Sequence, residues 1–414
     1  MARLYVDLTD AVVNSIYHGA STGMQRVQIN VAFCLAKSMS AQAFSIFEGQ
    51  WDDLNELVAQ SQGDADEFVR IVREKYKAAI ERYARQKSAP LASFPARCFH
   101  KCLRLYRDRK IRSTVKFAPD DALFTMGAFW QYRPLVDFYR QKANEGLKLI
   151  GILHDLTWLS YPEYIDRTLF QKFLALPLHL ITVSNFTKSE LERAVRENII
   201  TCDCKTVSSI ALAHEFIGAP RNDVSTYSSI ERDKRYVLYV SSLDHHKNHA
   251  ALISAWKQLH ADLGDKLPHL MLVGKKSTAA DEILRPGNLG SVISFCERPS
   301  DETLKMLYTN CVFTVFPSFR EGWGLPVGES LWFGKACAAS NRTSIPEAGG
   351  DLCVYFDPSD IEDIKRAVLS LLDQNTRLDY ENRIRAAALR TWKQVSDDIE
   401  AIIISIIKES PQSS

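Results

Sequence analysis

The sequence predicts an α/β protein with two Rossmann-like domains, and three observations support this prediction. Its 414 residues exceed what one hydrophobic core usually holds and suit two domains of about 200 residues each. Apolar, β-prone runs alternate with helical segments in both halves, which is the pattern of a parallel sheet covered by helices. A polar, turn-prone stretch over 221–229 separates the halves and is the best linker candidate.

The composition is that of an ordinary globular protein, with 46% hydrophobic and 24% charged residues. The 51 basic and 50 acidic residues nearly balance, so the net charge does not favour binding to nucleic acid. We therefore expect no nucleic-acid partner. No apolar run approaches the roughly 18 residues that a membrane span requires. The N-terminal residues enter a strand at once and lack a signal peptide's apolar core, so we expect a cytoplasmic protein with reduced cysteines.

The first domain, predicted over 1–218, begins with a strand over 4–8, a loop at Gly19–Gly23 and a helix over 24–37. A loop between strand and helix is where doubly wound sheets bind ligands. Its glycines do not fit the dinucleotide fingerprint, and a plain tight turn explains them equally well. Further strands are predicted at 43–47, 122–126, 147–153, 180–183 and 206–212.

Residues 50–118 interrupt this alternation and are predicted to form a helical insert with little β signal. The end of the insert, 97–116, is rich in Arg and Lys with aromatic and aliphatic residues between them. That pattern is typical of a helix lying on an anionic membrane surface. An ordinary solvated charged face is an equally good explanation.

The strand over 147–153 ends in His154 and Asp155, at the position where open α/β sheets place ligand-binding side chains. A lone histidine is usually structural, and Asp155 could simply cap the following turn. The position at a strand end favours a functional role for the pair.

The second domain is predicted over 230–385 and restarts the α/β alternation. A strand over 236–240 leads into a polar loop that contains Ser242 and Lys247. Further strands are predicted at 269–273 and 292–295, and helices follow, the last of them over 361–372 and 380–408. Residues 386–414 form the predicted C-terminal helix, whose very apolar end indicates burial or a partner.

Residues 313–357 contain the most informative pattern of the chain. An apolar strand turns into a glycine-rich elbow, Glu321–Leu325, and Pro326 then begins a helix that ends near Gly334. A further strand over 336–339 and a turn at Ile345–Gly350 follow. Bare backbone amides at such a helix N-terminus bind anions. Glu321 precedes the elbow and Glu329 lies one turn into the helix, although a glutamate pair at this spacing usually lies in a loop and on a solvated helix face.

Three stretches of this region, E-G-W-G-L-P-V-G-E, S-L-W-F-G-K and S-I-P-E-A-G-G-D, resemble the E-x7-E signature of retaining GT-B glycosyltransferases. That family includes many mannosyltransferases of polysaccharide assembly. The resemblance covers the C-terminal half well, and the N-terminal domain only at Gly19–Gly23, His154-Asp155 and Ser184. It implies two facing Rossmann-like domains and a C-terminal helix, 386–414, that packs back on the first domain.

The resemblance also implies roles for individual residues. Glu321 would hydrogen-bond the donor sugar and stabilise its positive ring, Glu329 would hold the ribose, and His154 would contact the transferred sugar. Lys247 would neutralise the nucleotide phosphates. Many relatives carry an additional arginine near Ser242 or His246 that this chain lacks, and His246 or Arg26 would supply part of that charge.

Two loops complete the implied donor site. The loop with Gly23 would lie over the donor phosphates, and the loop over 296–299 would face the base through backbone groups. The candidate catalytic residues are therefore His154, Asp155 and Glu321, and the candidate donor-binding residues are Gly23, Arg26, Ser242, Lys247, Arg298, Gly322, Trp323, Gly324, Leu325 and Glu329.

The implied reaction transfers a hexose from a nucleotide-sugar to a glycan or lipid-linked acceptor, with retention at the anomeric carbon, in surface polysaccharide biosynthesis. GDP-mannose is the favoured donor because S-I-P-E-A-G-G-D resembles mannosyltransferases. A dTDP-rhamnose or UDP-hexose donor, a phosphorylase or sugar-phosphate synthase, and a non-catalytic nucleotide-sugar-binding subunit stay open.

We expect no metal cofactor, because the helix dipole, backbone amides and Lys247 already supply positive field. Asp64-Ala65-Asp66 matches the D-x-D pattern of metal-dependent glycosyltransferases but lies in an acidic helical stretch rather than at a strand end. The basic segment 97–116 would let the enzyme dock peripherally on the inner face of the plasma membrane.

Overall fold

A computed structural model of the chain describes residues 2–18, 23–81, 111, 115–128, 132–162, 167–221, 235–285 and 287–408. The chain divides into two compact units. The first comprises Met1–Val183, Thr187–Ile210 and Trp392–Ser414, and the second comprises Ser184–Phe186 and Ala211–Thr391. Most of the basic segment 97–116 lies outside the described residues, so its predicted membrane role stays a prediction.

The first unit contains a seven-stranded sheet in the order β3-β2-β1-β4-β5-β6-β7. Every neighbouring pair is parallel except β2 and β3. The strands are β1 (Leu4–Asp7), β2 (Gln42–Phe47), β3 (Gln50–Asp53), β4 (Ala122–Thr125), β5 (Lys148–Leu153), β6 (Leu178–Thr182) and β7 (Thr206–Ser209). The predicted strands therefore exist, whereas β3 lies inside the segment that was predicted to be helical.

Helices accompany this sheet in the alternation that the sequence predicts. They are α1 (Thr9–His18), α2 (Gly23–Ser38), α3 (Asn55–Ser61), α4 (Ala65–Lys75), α5 (Arg133–Asn144), α6 (Arg167–Leu174) and α7 (Asn185–Arg196). The sequence pattern predicts no helix before residue 24, because Thr9, Val12 and Val13 are weak helix formers. Burial of Val12 and Ile16 stabilises α1 nonetheless.

The second unit contains a six-stranded, fully parallel sheet in the order β10-β9-β8-β11-β12-β13. Its strands are β8 (Tyr236–Val240), β9 (His269–Gly274), β10 (Ile293–Glu297), β11 (Thr314–Phe316), β12 (Cys337–Ser340) and β13 (Cys353–Phe356). This is the strand order of a Rossmann fold.

The helices of the second unit follow their strands in chain order. They are α8 (His249–Leu263), α9 (Ala280–Ile283), α10 (Asp301–Asn310), α11 (Leu325–Trp332), α12 (Ile345–Gly349), α13 (Ile361–Leu372) and α14 (Gln374–Ala386). Ser300 caps α10, since its hydroxyl accepts the Thr303 N–H at 3.2 Å. The predicted turn at Ile345–Gly350 is instead mostly the short helix α12, with Pro346 in its first turn.

The last helix, α15 (Trp392–Lys408), belongs to the first unit, where it packs against α2. Lys148 on β5 caps its C-terminal end, because the Nζ atom donates to Ile406 O at 2.7 Å and to Ile407 O at 3.0 Å. No helix in the described ranges is long and apolar enough to cross a membrane.

The predicted continuous helix over 380–408 is wrong, since the chain leaves the helix between α14 and α15. The intervening Ala387 to Thr391 contain neither Gly nor Pro and favour a helix by propensity. His214 explains the break. Its backbone N–H donates to Arg390 O at 2.8 Å, and its Nδ1 accepts the Arg390 N–H at 3.0 Å.

Candidate active site

The strand order of the second sheet reverses between β8 and β11. Open α/β sheets bind ligands at such a point, outside the carboxyl ends of the strands. Two segments leave the sheet there, the 241–248 segment after β8 and the 317–324 segment after β11. They carry the predicted phosphate-binding Lys247 and the predicted sugar-binding Glu321.

Lys247 and Glu321 form an ion pair that the sequence did not predict. The Lys247 Nζ atom donates to both carboxylate oxygens of Glu321, at 2.7 and 2.8 Å. The two side chains are only 16% and 12% exposed, so the pair is poorly screened by solvent. Each group compensates the buried charge of the other.

Hydrogen bonds hold the two segments together and fix the position of this pair. Asn248 follows Lys247 in the left-handed conformation, with a φ of 59°, and its side-chain amide donates to Pro317 O and Pro358 O at 3.2 and 2.8 Å. The backbone N–H of Phe319 donates to His246 O at 2.8 Å. These hydrogen bonds between the two segments therefore hold Lys247 next to Glu321.

The elbow between β11 and α11 has the predicted helix start. Gly324 has a φ of 103°, which favours glycine, and Pro326 lies in the first turn of α11. No side chain in the described part of the chain caps this helix. Its first backbone amides are thus not paired by a capping side chain, and anion binding there stays a prediction.

Two residues after β12, Thr343 and Ser344, anchor the elbow, and the sequence assigned no role to either of them. Ser344 is fully buried, and its hydroxyl donates to Glu321 O at 2.9 Å and to Trp323 O at 3.2 Å. The Thr343 hydroxyl accepts the Glu321 N–H at 3.1 Å. Their position just before Ile345 and Pro346 is the one signal that could have shown them.

Glu329 is buried in α11 and does not lie on a solvated helix face. It is 7% exposed, and the Tyr308 hydroxyl of α10 donates to its Oε2 atom at 2.9 Å. Tyr308 in turn stacks on Phe333, with 5.2 Å between ring centroids. The sequence did not indicate Tyr308 as a partner of Glu329, and the hydroxyl of this residue was the available signal.

The Ser242 hydroxyl is already hydrogen-bonded to another side chain. Its hydroxyl donates to Asp244 Oδ2 at 2.5 Å, and the Thr278 hydroxyl donates to Oδ1 at 3.0 Å. Burial alone would raise the pKa of Asp244, but the hydrogen bonds outweigh burial and lower this pKa below its ordinary value. Ser242 therefore offers a ligand its backbone rather than a free hydroxyl proton.

The other predicted donor-binding residues of this unit lie in the same elbow or at the end of β10. Gly322 and Trp323 are buried, and Leu325 is half-buried at the start of α11. The Trp323 indole Nε1 has no hydrogen-bond partner among the described residues. Arg298 is exposed with a φ of 44°, and its backbone N–H donates to Gly274 O at 3.0 Å.

The predicted residues of the first unit follow the ends of their strands. His154 Nε2 lies 2.6 Å from Met126 O. Since a carbonyl can only accept, Nε2 donates and Nδ1 carries the lone pair. Burial lowers the pKa of His154, which favours the neutral ring. Asp155 Oδ1 accepts the Thr157 N–H at 2.8 Å, so Asp155 does cap the following turn.

The remaining predicted residues lie on helices of the first unit. Gly23 is the first residue of α2, and Arg26 is half-buried one turn later. Asp64 is the N-cap of α4, where its carboxylate accepts the Glu67 N–H at 2.9 Å. Within the described ranges, no three His, Cys, Asp or Glu side chains come together as metal ligands do.

A buried histidine two residues after Lys247 should make the protein acid-sensitive. His249 is 2% exposed, its Nε2 atom lies 3.2 Å from Ser241 Oγ, and burial lowers its pKa to about 3. Below pH 6.5 the unfolded chain therefore binds a proton that the folded chain does not, and stability falls as pH falls. We expect the free energy of unfolding to fall by about 2 kcal/mol between pH 7 and pH 5 because of His249.

The His249→Gln variant, which keeps a group able to pair with Ser241, should show a smaller loss over the same pH range. An equal loss of melting temperature in both proteins would assign the acid sensitivity to other groups, such as His214, whose pKa burial also lowers.

Part of the chain matches a known protein family. Residues 223–390, which contain the Lys247–Glu321 pair, match the family model of glycosyl transferases group 1. The chain is 26% identical over 267 residues to O-antigen chain mannosyltransferase B of Escherichia coli, covering 60% of this chain and 68% of that protein. It is 34% identical over 264 residues to the serotype-specific mannosyltransferase WbdA of Escherichia coli, covering 59% of this chain but only 31% of that protein.

Solved structures confirm the predicted fold class. The crystal structure of Anabaena Alr3699/HepE in complex with UDP and glucose aligns with a TM-score of 0.61 and 14% identity, covering 98% of this chain and 100% of that one. The sucrose-phosphate synthase from Thermosynechococcus elongatus aligns with a TM-score of 0.55 and 18% identity, covering 78% and 82%. At these identities the likeness shows the fold alone, which is GT-B with two Rossmann-like units.

Proposed function

We propose that this chain, whose residues 223–390 match glycosyl transferases group 1, transfers a hexose from a nucleotide-sugar to a glycan or lipid-linked acceptor with retention at the anomeric carbon. The observation that supports this best is the Lys247–Glu321 pair beside the uncapped N-terminus of α11, at the reversal point of the second sheet. GDP-mannose is the proposed donor and mannose the transferred sugar, since the two Escherichia coli relatives are mannosyltransferases.

In this proposal the donor diphosphate binds the first amides of α11 and Lys247. A diphosphate carries more negative charge than one carboxylate, so it competes with Glu321 for the Lys247 ammonium group. Donor binding would thereby release Glu321 to the sugar, where its negative charge stabilises the positive ring of the transition state. Before binding, the ion pair keeps both groups compensated.

Retention follows, in this proposal, from attack on the face that the leaving group departs from. Glu321, once released from Lys247, is assigned an electrostatic role rather than that of a nucleophile. The bond between C1 and the phosphate oxygen breaks, the bond between C1 and the acceptor oxygen forms, and the acceptor proton passes to the departing phosphate. Lys247 and the helix dipole stabilise the charge on that phosphate.

The proposal includes no metal, and we expect activity within about twofold of its untreated value after EDTA treatment. The helix N-terminus and Lys247 do what a cation would do for the phosphates, and the Asp64 carboxylate is used as a helix cap. Turnover that EDTA abolishes and that Mg²⁺ or Mn²⁺ restores would contradict this prediction.

Glu329 should affect binding of the nucleotide rather than chemistry. Glu329→Ala should weaken the affinity for nucleoside diphosphate about tenfold or more, because a ribose contact is present equally in the ground and transition states. Tyr308→Phe removes only the hydroxyl that donates to Glu329, so its effect should be smaller. Calorimetric titration with nucleoside diphosphate measures both variants, and unchanged affinity in Glu329→Ala would refute the ribose role.

A donor panel tests the function itself. Release of nucleoside diphosphate from GDP-mannose, dTDP-rhamnose and the UDP-hexoses, with NMR of the product anomer, separates the candidate transferases. Inorganic phosphate and hexose phosphates as acceptors test the phosphorylase and sugar-phosphate synthase alternatives. Tight nucleotide binding without any turnover would instead indicate a non-catalytic binding subunit.

A further inference from the structure

Two cysteines of the first unit take no part in the proposed mechanism. Cys202 and Cys204 lie in the loop between α7 and β7, directly before the amino end of β7. Open α/β sheets bind their ligands at the carboxyl ends of the strands, so this loop lies at the other end of the sheet. Both side chains are reduced and half-buried, and both pack against the hydrophobic core of this unit. We call these two side chains the thiol pair.

Hydrogen bonds to α6 hold the backbone that carries the thiol pair. The Gln171 Nε2 atom donates to Thr201 O at 2.6 Å, and the Thr201 N–H donates to Gln171 Oε1 at 3.4 Å. The Asp203 N–H donates to Leu174 O at 2.9 Å. Thr201 and Asp203 are exposed while the two cysteines are half-buried, and this alternation is that of an extended chain. The two thiols therefore lie on the same side of the loop.

The two thiols are in hydrogen-bond contact. The Cys202 sulfur accepts hydrogen bonds from the thiol and from the backbone N–H of Cys204. These hydrogen bonds hold the pKa of Cys202 below its ordinary value, although burial and the negative charge of Asp203 act to raise it. The same contact, together with burial, raises the pKa of Cys204. The thiol pair therefore loses one proton easily, and the resulting thiolate is that of Cys202.

The surroundings of the thiol pair favour thiol oxidation over metal binding. A structural zinc ion takes four ligands, and no three His, Cys, Asp or Glu side chains come together as metal ligands in the part of the chain that the structure describes. A partly exposed thiolate beside a second thiol is the arrangement of a cysteine that is oxidised reversibly. We propose that Cys202 is a peroxide-reactive thiol and that Cys204 converts its oxidised form to an intramolecular disulfide. This modification site does not depend on the proposed transferase function.

The reaction has two steps, with hydrogen peroxide as the oxidant. The Cys202 thiolate attacks one peroxide oxygen, the O–O bond breaks, hydroxide leaves and Cys202 becomes a sulfenic acid. The Cys204 thiol gives its proton to this hydroxide, and its sulfur then attacks the Cys202 sulfur. The S–S bond forms, the S–O bond breaks, and the second hydroxide takes a proton from solvent. Together the two thiols lose two electrons, and the peroxide is reduced to two water molecules.

Peroxide treatment of the whole chain, followed by mass spectrometry of its peptides, tests this site. The peptide that carries the thiol pair should lose two hydrogen atoms and resist alkylation, and dithiothreitol should reverse both changes. Cys337 and Cys353 are an internal control, because they lie opposite each other on β12 and β13 and their thiols are also in contact. These two residues are only 1% and 4% exposed, so their oxidation should be about tenfold slower or more.

Single substitutions separate the roles of the two cysteines. In Cys204→Ser, peroxide should leave a sulfenic acid on Cys202 that dimedone traps, and no disulfide should form. In Cys202→Ser, oxidation of Cys204 should be about tenfold slower than oxidation of the thiol pair in the wild type. Cys296→Ser is the matched control, since Cys296 is also half-buried and burial raises its pKa. This variant should leave the oxidation rate of the thiol pair unchanged.

Three results would overturn the proposal. Oxidation of Cys296, or of Cys337 and Cys353, as fast as that of the thiol pair would show that Cys202 has no special reactivity. A dimedone adduct on Cys202 in the wild type, without a disulfide, would show that Cys204 does not react with it. An unchanged rate at Cys204 in Cys202→Ser would reverse the two roles. The first two results come from the wild-type chain, so they decide even where a variant does not fold.

Discussion

Glu321→Gln should lower kcat by about a hundredfold or more, because the carboxylate stabilises positive charge that the sugar ring carries only in the transition state. The substitution also removes the negative charge that holds Lys247 at 2.7 Å. Lys247 is then freer to meet the diphosphate, so affinity for nucleoside diphosphate should stay the same or increase. Steady-state rates and calorimetric titration of the same variant measure both effects.

The combination of a lower kcat with undiminished nucleotide affinity is specific to the proposed role of Glu321. Glu362→Gln is the control, because Glu362 lies in the same unit with a side chain that is 73% exposed and pairs with Lys365. Equal, modest losses of activity in Glu321→Gln and Glu329→Ala would contradict the division of roles between the two glutamates.

Lys247→Met should have the second large effect and should act on both binding and chemistry. The loss of the cation that faces the diphosphate should weaken nucleoside diphosphate binding about tenfold to a hundredfold and reduce kcat/KM further. It also leaves the Glu321 carboxylate, which is 12% exposed, without its counter-ion. We therefore expect a lower melting temperature as well.

The double variant Lys247→Met with Glu321→Gln separates these two consequences. Replacing both charges removes the uncompensated carboxylate, so the melting temperature should recover toward that of the wild type while activity does not. If the change in melting temperature of the double variant equals the sum of the changes in the two single variants, the two charges are not coupled in the folded protein. Recovery of activity in the double variant would refute the role of Lys247 at the phosphates.

Local sequence patterns predicted the strands, the starts of α2, α11 and α13, and the elbow, because these depend on neighbouring residues. The alternation of apolar runs predicted the strands of both sheets, and Gly324 with Pro326 predicted the start of α11. Where local preference and tertiary packing disagreed, packing decided. Residues 387–391 favour a helix but are not helical, because His214 pairs with Arg390. Helix α1 forms from weak helix formers because Val12 and Ile16 are buried.

The candidate site divides in the same way. By itself, the sequence determined the fold class and identified Lys247, Glu321, Glu329 and His154 as residues at strand ends and at a helix start. Only the tertiary structure showed the ion pair across 74 residues and the Tyr308 hydroxyl on Glu329. The physical reason is that the order of strands in a sheet decides which loops become neighbours. That order results from packing of the whole unit and not from the residues of any one loop.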